Sequence, residues 1–272
     1  MRGGFPISNR LLCEVHDILL SKGRGADKQP GEFRRSQNRV GGTRPGNASF
    51  VPPPPQRVAD CMAALERFIH DQPERTSALV KAALAHVQFE TIHPFLDGNG
   101  RVGRLLITLL LCVEGVLQEP LLYLSLYLKE HRQQYYELLD VVRREGEWER
   151  WLAFFVEAVA HTAIGAVDTA RALNDLFRGD REKLAELGRS ASSAIRVHHA
   201  LQSRPICTIA SMAGELKLSV PTVTKALENL ERVRIVREAT GRQRNRVFVY
   251  DRYLALLNRG TESGAPSPLL AA

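Results

Sequence analysis

The stretch that decides the fold is His93-Pro94-Phe95-Leu96-Asp97-Gly98-Asn99-Gly100-Arg101-Val102-Gly103-Arg104. An apolar run from Leu105 to Leu111 follows it at once and predicts a buried helix. The segment Gly98-Asn99-Gly100 therefore lies at a helix N-terminus. Its glycines let the backbone bend and approach a ligand closely, and its N–H groups form a ready anion site.

The charged side chains of this stretch indicate the ligand. Arg101 and Arg104 share one helix face, and cations in a first helical turn are unfavourable unless an anion lies there. Asp97 supplies one hard carboxylate, as is typical of Mg²⁺ held jointly with phosphates. His93 titrates near neutral pH and is a candidate general base. Each residue alone is also compatible with an ordinary capped turn and solvated arginines, but together they favour a metal–nucleotide site.

The stretch resembles the signature of the Fic (filamentation induced by cAMP) family, H-P-F-x-[DE]-G-N-G-R-x-x-R, in every position. The preceding residues, His86 to Ile92, are also similar to the family's lead-in. The resemblance implies a nucleotidyltransferase that moves AMP from ATP to a protein hydroxyl. It implies these roles: His93 as the base, Asp97 as the Mg²⁺ ligand, Gly98, Asn99 and Gly100 as the phosphate-binding turn, Arg101 and Arg104 on the nucleotide phosphates, and Phe95 packed inward.

Upstream of the signature lies a long irregular segment rich in glycine and proline, from Ala26 to Pro55. Residues 37–40 and 48–51 are expected to pair as a short hairpin. In Fic proteins a hairpin flap receives the target, and about residues 31–55 resemble that flap. An exposed strand edge in this segment would bind a target backbone by strand addition. The expected docking residues are Gly31, Glu32, Phe33, Arg34, Asn47 and Phe50. Without the signature, a decorated surface loop is the simpler interpretation.

Apolar periodicity predicts helices at Ile7–Leu20, Gln56–His70, Ser77–Ile92, Leu121–Lys129, His131–Arg144 and Trp148–Phe177. In the first of these, Leu11, Leu12, Val15, Ile18 and Leu19 form the expected inner side. The fold class is therefore mainly α: an all-helical Fic domain over residues 1–178 with the flap as a short β-hairpin. Residues 179–189 are expected to be a charged linker.

Residues 190–258 are expected to form a second, α+β domain. Ser219 caps a helix that has Pro221 in its first turn and an apolar stripe of Val223, Leu227 and Leu230. Two alternating segments follow it, and the pattern resembles a winged helix-turn-helix. DNA contacts are expected from Thr222, Thr224, Lys225 and Asn229 on the recognition helix and from Arg242, Arg244 and Arg246 on the wing. A protein-interaction or dimer module fits the pattern equally well. The tail, 259–272, is expected to be disordered.

The net charge of +7 lies entirely in the C-terminal part: residues 190–260 hold twelve basic and five acidic side chains. A neutral body and a basic module suggest different partners, namely a target protein and either DNA or a protein. Four scattered cysteines without a C-x-x-C pair argue against a zinc site and fit a reducing compartment. We expect a cytoplasmic protein without a membrane partner. A homodimer is left open.

Three functions remain open at this point. The first is a protein adenylyltransferase using ATP and Mg²⁺. The second is a DNA-binding regulator that senses a nucleotide. The third is a Fic enzyme that removes AMP or transfers another phosphate-containing group. Many Fic proteins carry an inhibitory [ST]-x-x-x-E-[GN] helix. Its only match here, Thr224 to Asn229, lies in the expected recognition helix, so we expect no intramolecular inhibition by a glutamate.

Overall fold

The computed structural model describes residues 6–22, 25–120, 122–188, 191–242 and 244–258. The chain divides into two compact units, residues 1–163 and 164–272. The tail at 259–272, predicted to be disordered, lies outside the described residues.

The first unit is helical, which confirms the predicted fold class. Its helices are α1 (Asn9–Leu20), α2 (Pro55–Ile69), α3 (Ala78–Ile92), α4 (Asn99–Val113), α5 (Leu124–Glu130), α6 (Arg132–Glu145) and the first part of α7 (Trp148–Ala185). Ser8 caps α1 by accepting a hydrogen bond from the Leu11 N–H, and Pro55 begins α2 at a position where its missing N–H costs nothing.

α3 is the central helix of this unit, and side chains on all its sides are buried. Its alanines, among them Ala82, Ala83 and Ala85, allow close approach, and it packs against α2 and α4. Trp151 of α7 donates its indole N–H to the carbonyl of Ala83 at 3.0 Å. A helix surrounded by protein also buries its polar residues. Lys81, for example, pairs with Asp71 and Glu114 at 2.7 and 2.5 Å.

The inner side of α1 differs from the expected one. Leu12, His16 and Leu20 are buried, whereas Ile18 is 73% exposed. A spacing of four residues places these three on one face, and a histidine stands where periodicity looks only for apolar residues. The flap region contains a single antiparallel bridge between Val40 and Phe50, with a 3₁₀ turn at Pro45–Asn47 near its tip.

The second unit continues from α7 with α8 (Ala191–Ser203), β1 (Ile206–Thr208), α9 (Ile209–Leu216), α10 (Val220–Arg232), β2 (Arg237–Glu238), β3 (Val247–Val249) and α11 (Asp251–Leu257). The antiparallel sheet has the order β1-β3-β2, with Cys207 and Glu238 both opposite Phe248. Thr208 begins α9 with a capping box, and Ser219 caps α10. The strand β1 and the helix α11 lie outside the elements that periodicity predicted.

Most of the segment expected to be a charged linker is helical, since α7 continues through Ala185. Asp180 is buried inside the second unit, where it accepts hydrogen bonds from the Tyr250 hydroxyl at 2.6 Å and from Arg252. The division between the units falls inside α7, between Ala163 and Ile164, and not at 179–189. α7 is also the one helix among the described residues that is long and apolar enough to cross a membrane. Length and composition alone do not distinguish such a helix from one of a soluble protein.

Candidate active site

His93 stands at the end of α3 in a left-handed conformation, with φ 51° and ψ 60°. A non-glycine residue adopts this conformation at a cost of roughly 1–2 kcal/mol, and such strain concentrates at functional sites. Its N–H closes the helix by donating to the carbonyl of Phe89 at 2.9 Å. Burial lowers the pKa of the imidazole to about 4, so the ring is neutral at physiological pH and able to accept a proton.

The glycine turn forms the start of α4. Gly98 is the N-cap residue with φ 81°, a conformation that glycine adopts without strain. The N–H groups of Asn99 and Gly100 lie in the first turn, where a helix leaves donors without intrahelical acceptors. The Arg104 guanidinium lies over Gly100, as a distance shows: a Cβ added at Gly100 would lie 3.1 Å from Arg104 Nη1. The structure therefore places the glycines, the first N–H groups of α4 and the Arg104 guanidinium at one helix end.

The side chain of Asn99 has a different role from its backbone. It is buried, its Oδ1 accepts from the Phe95 N–H at 2.9 Å, and its Nδ2 donates to the Phe95 carbonyl at 2.8 Å. These two bonds close the loop between α3 and α4. Any contact of Asn99 with a phosphate would come from its main chain.

Asp97 is the only acidic side chain in the signature loop. One of its oxygens accepts from the Gly98 N–H at 2.6 Å, and the other lies 3.9 Å from Arg101 Nη2. The described residues contain no cluster of three or more His, Cys, Asp or Glu side chains suited to a metal ion. A lone carboxylate beside a phosphate-binding helix end fits Mg²⁺, which takes most of its ligands from water and nucleotide.

His16 of α1 supports this loop and was not found by sequence reasoning. Its Nδ1 accepts from the Gly31 N–H at 2.8 Å, so Nε2 carries the proton and donates to the Asp97 carbonyl at 2.9 Å. The ring stacks on Phe95, which is fully buried as expected. The available signal was a histidine four residues from Leu12 and Leu20 on the inner face of α1.

Arg34 corrects the expected docking surface. It is 2% exposed, and its guanidinium donates to the carbonyls of His93, Ser36, Pro53 and Ile92. A side chain whose donors are used in this way is not available to a target. Asn38, which sequence reasoning missed, donates similarly to the carbonyls of Phe95 and Leu96. The flap segment thus holds the signature loop in place.

The other predicted docking residues divide into two groups. Gly31 and Phe33 face the signature loop, through the bond to His16 and a ring contact with Phe95 at 5.6 Å. Glu32 is exposed, Asn47 closes the tip by accepting from the N–H groups of Thr43 and Arg44, and Phe50 lies 4.0 Å from the Arg143 guanidinium. Glu32, Asn47 and Phe50 are therefore the predicted docking residues for which no contact with the signature loop is seen.

Two buried titratable side chains, those of His86 and Glu90, precede His93 in α3. His86 is hydrogen-bonded to the Gly103 carbonyl at 2.9 Å and to the Tyr135 hydroxyl at 2.8 Å, so it is a packed histidine. Burial also lowers its pKa to about 4. Glu90 is 7% exposed, and burial raises the pKa of its carboxyl to about 7. Its Oε2 lies 4.0 Å from His93 Nδ1. In the sequence, Glu90 was marked only by its place in a core-like helix and in the family-like run from His86 to Ile92.

Most of the residues expected to contact DNA in the second unit lie at its surface. Lys225, Arg242 and Arg244 are exposed, and Thr222 and Thr224 are partly exposed. Arg246 lies 3.5 Å from a Glu231 oxygen and 4.8 Å from the Phe248 ring.

Asn229 contradicts the expectation, because it is only 3% exposed and faces the core. Ala226, one turn earlier, is fully buried, which widens the inner face of α10 beyond the predicted stripe. Glu228, the glutamate of the apparent inhibitory motif, is exposed and lies 3.7 Å from Lys225.

Comparison with known proteins agrees with this geometry. Residues 6–111 match the family model described as Fic/DOC family. Over 152 residues, or 56% of this chain, it is 37% identical to a protein of Drosophila yakuba and 35% identical to one of Aedes aegypti, both named protein adenylyltransferase Fic. This chain covers only 28% and 27% of those two proteins.

A solved structure shows the same fold over a larger part of the chain. The crystal structure of a Fic family protein from Desulfovibrio desulfuricans G20 aligns with a TM-score of 0.53 and 23% identity. The alignment covers 89% of this chain and 68% of that one. The family match contains the complete loop from His93 to Arg104 together with the helices that hold it. Residues 6–111 are thus similar to the Fic/DOC family.

Proposed function

We propose that this chain is a protein adenylyltransferase that moves AMP from ATP to a Ser, Thr or Tyr hydroxyl of a target protein. The observation that carries the proposal is the position of a neutral, strained His93 beside the glycine-rich start of α4 with its arginines. The names of the curated relatives support the same activity.

In the proposed reaction, His93 accepts the proton of the target hydroxyl as its oxygen attacks the α-phosphorus of ATP. A bond forms between that oxygen and the α-phosphorus. The bond from the α-phosphorus to the oxygen that bridges the α- and β-phosphates breaks, and pyrophosphate leaves. The N–H groups at the start of α4 and the guanidinium groups of Arg101 and Arg104 stabilise the charge that develops on the phosphates. Arg104 is the proposed contact of the γ-phosphate.

Asp97 is the residue that would hold Mg²⁺, which neutralises phosphate charge when bound. The target segment would dock along the flap near Val40 and Phe50 by strand addition. We place the protein in the cytoplasm, and the four cysteines, all free thiols, are in keeping with a reducing compartment.

The test is incubation of the purified chain and a cell lysate with ATP labelled at the α- or the γ-phosphate. Protein labelling from the α-position alone is expected, and His93→Ala should abolish it while ATP binding, measured by calorimetry, persists. Labelling from the γ-position alone would indicate a kinase instead. Retained transfer by His93→Ala would contradict the proposed role of the histidine. Release of AMP from a modified protein would favour the reverse reaction.

A second function is proposed for the C-terminal unit, namely DNA binding as a winged helix-turn-helix. Its order of helix, strand, two helices and a two-stranded wing, with the sheet order β1-β3-β2, supports this fold. Exposed Lys225, Arg242 and Arg244 supply the cations that contact phosphates. DNA binding with ATP binding but no labelling from either position would favour a nucleotide-responsive regulator. Association into a dimer through this unit, without DNA binding, would favour the interaction module.

A further inference from the structure

The candidate active site contains two buried polar atoms that form no hydrogen bond with the described residues. His93 Nδ1 and Glu90 Oε1 are both shielded from solvent, and neither forms a hydrogen bond of normal geometry with any residue that the structure describes. Buried polar atoms are normally satisfied, so an unsatisfied pair in one site requires an explanation. The His93 side chain as a whole keeps 16% of its surface exposed, so the ring is not closed off completely.

The two side chains lie next to each other on α3. They are three positions apart at the C-terminal end of the helix, which places them on one side of it. Glu90 Oε2 is 4.0 Å from His93 Nδ1, about 1 Å longer than a hydrogen bond. Catalytic hydrogen bonds are often long without substrate and shorten when it binds. A hydrogen bond between the two side chains therefore needs a movement of about 1 Å.

The fold makes room for a carboxyl group at this position. A Cβ added to Gly103 of α4 would lie 2.5 Å from Glu90 Oε1, so the carboxyl occupies the space that a side chain would otherwise fill. It approaches the first two turns of α4, next to Gly100. Burial of a carboxyl group whose Oε1 forms no hydrogen bond lowers the stability of the fold. Packing alone does not explain why an acid occupies this position.

The charges around Glu90 come from three elements. Arg104 of α4 and Arg143 of α6 favour its ionised form, and Tyr135 of α6 and His86 of α3 also face this region. These arginines do not offset the effect of burial, so the carboxyl titrates near neutral pH. Around His93, Arg143 and Arg34 oppose protonation of the ring, and Asp97 favours it.

We propose that ionised Glu90 accepts a hydrogen bond from His93 Nδ1–H, which leaves Nε2 free to take the proton of the target hydroxyl. Protonated Glu90 reverses the bond: its O–H donates to Nδ1, the ring proton moves to Nε2, and His93 can no longer act as a base. Glu90 is thus a positioning residue that makes transfer dependent on pH. This inference rests on the function proposed for His93.

One other acceptor competes for Nδ1–H, namely the main-chain carbonyl of Glu90, which also favours a charged ring. That carbonyl already accepts from Arg143 Nη2 at 3.1 Å. Glu90→Gln leaves the carbonyl in place and replaces the carboxyl by an amide that does not titrate, so a pH dependence that needs the carboxyl is lost and one that needs only the carbonyl is kept. Glu137→Gln is a matched control, because Glu137 is exposed on α6.

The test combines a spectroscopic and a kinetic measurement. In protein with ¹⁵N-labelled histidines, the ring of His93 is identified among the eight histidines by its loss in His93→Ala. We expect its tautomer to change from Nε2–H to Nδ1–H as the pH rises through about 7, with an apparent pKa that belongs to the pair. Glu90→Gln should abolish this change, and Glu137→Gln should keep it.

In the kinetic measurement, kcat of the native chain should rise through the same pH range. Glu90→Gln should lower kcat by about 10-fold or more at about pH 8 and remove the inflection near neutrality, with KM for ATP unchanged. If Glu90→Gln keeps the tautomer change, the inference is overturned. If the tautomer change depends on Glu90 but the native chain labels no protein from ATP, the proposed function fails and the pairing stands.

Discussion

The imidazole ring of His16 lies parallel to the phenyl ring of Phe95, with centroids 3.8 Å apart and planes inclined by 5°. The same imidazole is hydrogen-bonded through one nitrogen to Gly31 and through the other to Asp97. One buried side chain of α1 therefore connects the flap segment with the signature loop.

His16→Ala should destabilise the first unit by about 2–4 kcal/mol, because it removes a stacked ring and leaves a buried N–H and a buried carbonyl unpaired. The two tryptophans, Trp148 and Trp151, both lie in the first unit, so denaturation followed by their fluorescence reports on that unit. Ile18→Ala, at an exposed position of the same helix, should change the stability by less than about 0.5 kcal/mol. Equal effects of the two substitutions would show that His16 does not connect the loops.

Arg34 and Arg35 are adjacent in sequence and opposite in environment, since the Arg35 side chain is 82% exposed. Arg34→Ala should cost on the order of 3 kcal/mol or more, because it leaves several buried carbonyls without donors. It should also weaken transfer, since one of those carbonyls belongs to His93. Arg35→Ala should affect neither. Tryptophan fluorescence and the labelling assay measure both effects, and a destabilising Arg35→Ala would contradict this assignment.

The signature loop was predictable from sequence because its parts are local. Between His93 and Arg104, the histidine, the glycine turn and the arginines follow one another, and the start of a helix is a short-range feature. The residues that hold the loop come from distant positions. His16 and Asp97 are 81 positions apart in the chain, and Arg34 and His93 are 59 apart. A single sequence contains no signal for such contacts.

The errors have a similar cause. Periodicity assigns faces from apolar residues alone, so it placed Ile18 inside and overlooked His16. In α10 it ignored the small Ala226, and Asn229 was assigned to the wrong face. The charged composition of residues 179–188 suggested a linker. Asp180 is instead buried and hydrogen-bonded to Tyr250 and Arg252. Tertiary partners decide these positions, and they are not encoded in local patterns.

Substitutions on the wing test the proposed DNA contacts. Arg242→Ala and Arg244→Ala should each weaken binding and reduce the slope of log K against log salt by about one, because each removes a phosphate contact. Asn229→Asp, at the buried position, should reduce the stability of the second unit. Fluorescence anisotropy with a labelled duplex at several salt concentrations measures the slopes. An unchanged slope in both arginine variants would place the DNA contacts elsewhere or favour the interaction module.

Gly103→Ala and Gly165→Ala compare two helical glycines with different surroundings. An added Cβ at Gly165 has nothing within 4 Å, so Ala should stabilise α7 by about 0.5–1 kcal/mol. At Gly103 the Cβ would displace Glu90, and overpacking of this kind costs roughly 1–3 kcal/mol. Gly103→Ala should also lower kcat and leave ATP affinity unchanged. Differential scanning calorimetry measures the stabilities of both variants. Stabilisation by both alanines would contradict the crowded position of Glu90.

The buried Glu90 should also make stability depend on pH. Burial raises its pKa from 4.5 to about 7, so between these values the folded state binds more protons than the unfolded state. The contribution of protonated Glu90 is complete below about pH 4.5 and is lost as the pH rises through about 7. His86 and His93 act in the opposite direction, because their lowered pKa values reduce stability as the pH falls from about 6.5 to about 4.

The difference between a variant and the native chain isolates Glu90 from these histidines. Between about pH 5 and about pH 8, Glu90→Gln should gain stability relative to the native chain by on the order of 2–3 kcal/mol. Urea denaturation followed by tryptophan fluorescence measures the difference at each pH. Glu137→Gln, at an exposed position, should differ from the native chain by the same amount throughout. A constant difference for Glu90→Gln as well would mean that Glu90 ionises normally, and a carboxylate that stays charged cannot make His93 dependent on pH.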